Sequence, residues 1–225
     1  MSPATRNLII RTATGVVFVA VVLGAMMLGR VTFGVLLGLI AAGCVAEFWR
    51  LARRPLTRWA GTVYIVLCVV AMWFFPVMGG GMSVVPEGVW NVRIAPAFIV
   101  VVWANDVFAY LVGITLGRHK MCPRLSPHKT WEGFAGGLAG AMVAGGVIGQ
   151  LWIGEIWRIW IPFGLVVALA AVAGDFAESS FKRAAGVKDS GVVLPGHGGL
   201  LDRFDAMLGA VPAAFLFLLI TCITR

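Results

Sequence analysis

Between Asp175 and Asp205 the chain reads DFAESSFKRAAGVKDSGVVLPGHGGLLDRFD. Those 31 residues hold five of its ten acidic side chains, Asp175, Glu178, Asp189, Asp202 and Asp205. Lys182, Arg183, Lys188 and Arg203 are interleaved with them, and Gly191, Gly196, Gly198 and Gly199 crowd a short stretch around Pro195 and His197. Carboxylate oxygens are what a hard divalent cation such as Mg²⁺ takes, commonly one or two of them completed by substrate phosphates. Asp175 and Asp202 could supply such a pair if the segments carrying them pack together. The cations would meet phosphate oxygens, and glycines let backbone N–H groups approach an anion at a helix start. The chemistry indicated is the binding of a polyphosphate with a divalent metal.

Blander readings exist for each residue alone. Asp202 could cap a helix, Lys182, Arg183 and Lys188 could be interfacial charges that hold topology, and His197 could be an ordinary loop residue. Capping and topology together still require neither five carboxylates nor four loop glycines. The local spacing also sorts these residues. Asp175, Glu178, Ser179 and Lys182 recur at i, i+3, i+4 and i+7, one face of a helix that should end near Gly186. Asp202 and Asp205, at i and i+3, open the next helix after a long glycine-bearing loop of the kind that is usually functional or disordered. A second polar segment, Gly117 to Gly133, carries Lys120, His128, Lys129 and Glu132.

The elements that position these residues are membrane helices. Of 225 residues 60% are apolar and only 12% charged, half the share of an ordinary soluble domain, which is about 25%. Mean hydropathy is +0.94. The formal net charge of +8 would suggest a nucleic-acid partner in a soluble protein. Here the Lys and Arg lie between apolar runs, so no nucleic acid is expected. Cys44, Cys68, Cys122 and Cys222 show no CxxC spacing, which argues against zinc or a disulfide framework. Seven stretches are long enough to cross a bilayer, near 8–29, 31–49, 59–78, 94–115, 133–153, 157–175 and 206–223. The first is too long for a signal-peptide core and is expected to be a retained span. The fold class is therefore all-α, a polytopic helical bundle. With the amino terminus inside, 14 of the 18 Lys and Arg fall on the inner side, so the positive-inside rule places the carboxyl end out and both polar segments in the cytoplasm.

The window from Ser179 to Asp205 resembles, without a gap over 27 residues, the signature of the phosphatidate cytidylyltransferase (CDP-diacylglycerol synthase) family. It contains Lys182-Arg183, Lys188-Asp189, Leu194-Pro195-Gly196-His197-Gly198-Gly199 and Asp202-Arg203-Phe204-Asp205. Ser126-Pro127-His128-Lys129-Thr130-Trp131-Glu132-Gly133 is similar to a second family landmark, with His128 where Lys is common. Asp106, Ala109, Tyr110 and Gly113 resemble a third, and Glu47-Phe48-Trp49 is similar to a feature of the amino-terminal third. The resemblance implies transfer of the cytidylyl group of CTP to phosphatidate, giving CDP-diacylglycerol and diphosphate, with Mg²⁺ as cofactor. It implies Asp175 and Asp202 as metal ligands, with Asp205, Lys182 and Arg183 completing the catalytic set. Ser179, Lys188, Asp189, His197, Gly198, Gly199, Arg203 and Lys129 would bind the substrate phosphates. A monovalent cation beside Mg²⁺, a homodimer and contact with membrane lipid are compatible with it. Residues 1–93 would form amino-terminal helices one to three, and 94–225 the catalytic region, with cytoplasmic loops 116–132 and 176–205. The expected location is the cytoplasmic membrane.

Two other functions compete. A CTP-dependent lipid kinase of the dolichol or phytol kinase type would move the γ-phosphate, but the long Lys-Asp to Asp-Arg-x-Asp signature favours cytidylyl transfer. A small transporter would account for Asp106, whose placement in a span costs about 2.5–3.5 kcal/mol on insertion scales. No inverted repeat accompanies it. The Gly136-xxx-Gly140 spacing reads as helix packing rather than phosphate binding.

Overall fold

The computed structural model describes residues 17, 19–81, 90–153, 157–187, 189–191 and 199–223. A short apolar helix α1, Val19–Leu28, is followed by α2 (Arg30–Leu51), α3 (Pro55–Phe74, continued as a 3₁₀ turn to Gly81) and α4 (Ile94–Thr115). A hairpin of β1 (Lys120–Cys122) and β2 (Ser126–Thr130) leads into α5 (Trp131–Ile148), which ends in a π-helical turn, Gly149–Ile153. The last two helices are α6 (Trp157–Ala185) and α7 (Leu201–Ile223). Six of these helices are long and apolar enough to cross a membrane, and the protein is an all-α, multi-pass integral membrane bundle. Of the first expected span, 8–29, residues 17 and 19–29 lie among the described residues, and α1 within them is shorter than crossing length. Gly29, at φ +120°, makes the one-residue break between α1 and α2.

Helices α4, α5, α6 and α7 pack in sequence order, each against the next, and the α2–α3 pair joins them chiefly through α3 on α7. In lipid there is no hydrophobic drive between helices, so close contact falls to small residues. On α5, Gly133, Gly136, Gly137 and Gly140 all face α4; a methyl at Gly137 would sit 2.7 Å from the Asn105 Oδ1. The expected packing role of Gly136 and Gly140 is therefore what the fold shows. Gly174 of α6 meets Gly209 of α7, where an added Cβ would lie 2.6 Å from the Gly209 Cα. Large apolar side chains such as Leu39, Leu67, Val143, Leu151 and Ile220 point outward, as a bilayer-facing surface requires.

Backbone polarity is handled with equal economy. Pro212 lies inside α7 and cannot donate to the Leu208 carbonyl one turn back. That carbonyl instead accepts from the Tyr64 hydroxyl at 2.8 Å and the Cys68 thiol at 3.4 Å, both on α3. A neighbouring helix thus satisfies the group that proline frees. One local feature differs from expectation. The segment before α5, expected as loop 116–132, is a hairpin pairing Lys120 with Thr130 and Cys122 with Ser126; strands of three and five residues are too short to show a period in the sequence. The last helix begins at Leu201, so Asp202 and Asp205 open α7 as their spacing predicts.

Candidate active site

The helical face expected for Asp175, Glu178, Ser179 and Lys182 exists: all four are on α6, an unbroken helix of 29 residues. It stops where expected. Gly186, at φ +76°, donates to the Arg183 carbonyl and Val187 to the Lys182 carbonyl, the paired bonds that close a helix on a left-handed residue. The Arg183 guanidinium is exposed and donates to the Val187 carbonyl at 3.0 Å, so it seals this helix end.

The same end of the bundle receives the hairpin. Thr130 caps α5 by accepting from the Gly133 amide at 3.1 Å. Glu132 accepts from the backbone amides of Arg118 (3.1 Å) and His119 (3.2 Å), and its Oε1 lies 2.5 Å from the His119 Nδ1. The hairpin is thereby tied to the start of α5, and β2 delivers Lys129 to α6. Lys129 pairs with Asp175 and lies 4.4 Å over the Phe176 ring. Ser179 donates to the other Asp175 oxygen at 3.4 Å.

A cavity of about 610 Å³ opens between α4, the hairpin, α5 and α6. Asp106, Ala109, Tyr110 and Gly113, spaced i, i+3, i+4 and i+7 along α4, all line it, and Lys120, His128, Lys129 and Asp175 line the facing side. Asp106 lies within the electrostatic reach of Asp175 and Lys129. Asp205, on α7, feels Asp175, Asp106 and Lys182. The Gly174–Gly209 contact explains this convergence, since it sets the neighbouring Asp175 close to Asp205, whose own carbonyl would lie 2.7 Å from a Gly174 Cβ.

A second knot of charge adjoins the first. The Lys182 ammonium stands 2.6 Å from Glu178 Oε2 and 2.8 Å from Asp202 Oδ1. Asp202 also accepts from the backbone amides of Ser190 and Gly199, each at 2.9 Å. One carboxylate thus ties Ser190 to Gly199. Asp202 is both the reach-back cap of α7 and a partner of Lys182, so capping does not use up its carboxylate. Asp189 and Arg203 are exposed, and Gly199 is buried. Lys188, His197 and Gly198 lie outside the described residues.

Sequence reasoning named Glu47 only within a resemblance and gave it no place in the site. It is on α2, 2% exposed, and accepts from the Ser190 hydroxyl (2.9 Å), the Leu200 amide (2.9 Å) and the Leu201 amide (2.8 Å). An acidic residue inside the otherwise apolar stretch 31–49 was the available signal.

The donors fit a hard divalent cation. Asp175, Asp202 and Glu178 offer carboxylate oxygens, with no thiolate among these groups, and Glu178 Oε1 is buried without a hydrogen-bond partner. Among the described residues no three Asp, Glu, His or Cys side chains converge as a complete metal cage. Mg²⁺ does not need one, because it keeps waters and substrate phosphates in its shell. Asp175 and Asp202 are each held by a different lysine, Lys129 and Lys182.

Comparison with known proteins finds relatives of one named activity. A phosphatidate cytidylyltransferase of Staphylococcus aureus (strain COL) is 44% identical over 126 residues, covering 55% of this chain and 47% of its own length. One of Mycobacterium bovis is 35% identical over 201 residues, covering 82% of this chain and 64% of its own. One of Mycobacterium tuberculosis (strain ATCC 25618 / H37Rv) is 35% identical over the same length, covering 60% of its own. The chain thus spans between about half and just under two thirds of these relatives. The model of the cytidylyltransferase family matches residues 62–221, which include both charge knots and the cavity, and the chain belongs to that family.

Proposed function

We propose that this protein makes CDP-diacylglycerol and diphosphate from CTP and phosphatidate, at the cytoplasmic face of the membrane. The observation that carries the reading is the alternation of lysines and carboxylates, Lys129–Asp175 and Glu178–Lys182–Asp202, at one end of a lipid-embedded bundle beside a cavity. The names of the relatives supply the substrate class. A phosphatidate oxygen attacks the α-phosphorus of CTP, a new P–O bond forms, and the bond to the β-phosphate oxygen breaks to release diphosphate. Such a reaction asks a protein for positioning and charge stabilisation rather than covalent work. Lys129 and Lys182 hold phosphate oxygens in place of their present carboxylate partners, and Ser179 orients Asp175. Asp175 and Asp202 would hold Mg²⁺, which when bound lends positive charge to the triphosphate.

The test uses purified protein, phosphatidate, Mg²⁺ and CTP labelled in either the α- or the γ-phosphate. Label in the lipid fraction from α-labelled CTP only is the expected result. Lipid label from γ-labelled CTP, with diacylglycerol or a polyprenol as acceptor, would establish a lipid kinase instead, and no transfer from either would overturn the enzyme reading.

A further inference from the structure

We infer that Glu47 is a positioning residue that holds Ser190–Gly191 against Gly199–Leu201 and, through them, sets the geometry of Asp202 and Lys182; the inference rests on the function proposed above. A carboxylate buried in a membrane helix is costly and persists where its hydrogen bonds are fully used. Among the described residues, the hydrogen-bond donors to Glu47 come from one distant part of the chain: Oε2 accepts from the Ser190 hydroxyl and the Leu201 amide, and Oε1 from the Leu200 amide. Leu201 is the first residue of α7, so the carboxylate also faces the positive end of that helix dipole.

Two glycines show how closely the segment is fitted around this group. A Cβ on Gly191 would stand 2.6 Å from Glu47 Oε1, and one on Gly199 would stand 2.5 Å from Glu47 Oε2. Ser190 is held twice, its hydroxyl by Glu47 and its amide by Asp202. Gly199 is held by Asp202, and its successors Leu200 and Leu201 by Glu47. Two carboxylates, from α2 and α7, therefore clamp both ends of the segment. Among the described residues, removing the α2 member leaves Asp202 as the tie between those ends, while Lys182 pulls on Asp202 Oδ1, one of the two oxygens to which the Ser190 amide donates. Helix α2 thus acts on the site without touching the cavity beside Lys129.

The experiment compares the full chain with Glu47→Gln and Gly191→Ala in detergent, by hydrogen–deuterium exchange and by steady-state kinetics. Gln keeps the volume but turns an NH₂ toward donors that need an acceptor. Exchange at the amides of Ser190, Leu200 and Leu201 should quicken about tenfold or more, while amides around Gly174 and Gly209 keep their parental rates. Mutation of such orienting groups typically costs about 10–100-fold in activity. That loss should appear in kcat, with the KM for phosphatidate within about twofold of parent. Unchanged exchange at the three amides, or a parental kcat, would overturn the inference. So would an equal loss of protection throughout α6 and α7, which would mark a general packing role. If Glu47→Gln does not fold, Gly191→Ala keeps the charge and displaces it. Parental exchange in Gly191→Ala then overturns the inference as well. Exchange is readable whether or not CDP-diacylglycerol is formed, so failure of the proposed reaction and failure of the clamp are separate results.

Discussion

Replacing Asp175 and Asp202 by Asn should give two enzymes equally dead and unequally stable. Asp202 is nearly buried, with 9% of its side chain exposed, and accepts two backbone N–H groups and a lysine. Asn has one acceptor oxygen, so its NH₂ must face at least one of those donors. Loss of a hydrogen bond to a charged group costs about 1.5–3 kcal/mol, which for a chain of this size lowers the midpoint of unfolding by roughly 5–10 °C. Asp175 is 31% exposed, and its lysine partner 28%. A pair that open is worth about 0–1 kcal/mol, and the Ser179 bond of 3.4 Å is long. Asp175→Asn should therefore shift the midpoint by no more than about 3 °C. Activity should fall in both by about 10²–10³ or more, the usual loss when one electrostatic anchor of a transition state is removed. The assay is lipid-label transfer at saturating Mg²⁺, with thermal unfolding followed on the same preparations. Substantial turnover by either variant would place the metal elsewhere. Equal destabilisation by both would refute the assignment of Asp202 as the structural as well as the chemical anchor.

Gly174→Ala should destabilise the α6–α7 contact by about 1–3 kcal/mol, the cost of overpacking, because the new methyl meets backbone atoms of Gly209 and Asp205 that cannot turn aside; a parental unfolding midpoint would contradict this. Asp189 is exposed, and Asp189→Cys, in a chain freed of its four native cysteines, should be labelled by an impermeant maleimide only when the cytoplasmic side is open to it. Labelling from outside intact cells would reverse the proposed sidedness.

Much of the site was legible because helical spacing is rigid. Once α6 is a helix, the i, i+3, i+4, i+7 row of Asp175 to Lys182 must share a face; the set Asp106 to Gly113, which entered through resemblance alone, lines the cavity. Gly186 as the end of α6 and the span positions of α2 to α7 were likewise readable from local preference and hydropathy. What stayed hidden depends on contacts between residues far apart in the chain. Glu47 and Ser190 are 143 positions apart, and nothing local to either says that one carboxylate closes the other's loop. The short hairpin was hidden for a related reason: it exists because Glu132 and the start of α5 hold its ends together, while its strands are too brief to carry a pattern. Local sequence determined which residues face the same way along each helix. Only tertiary packing, through the glycine contact of α6 with α7 and the reach of α2 to the far loop, decided which lysine each carboxylate holds and which acid supports the segment above it.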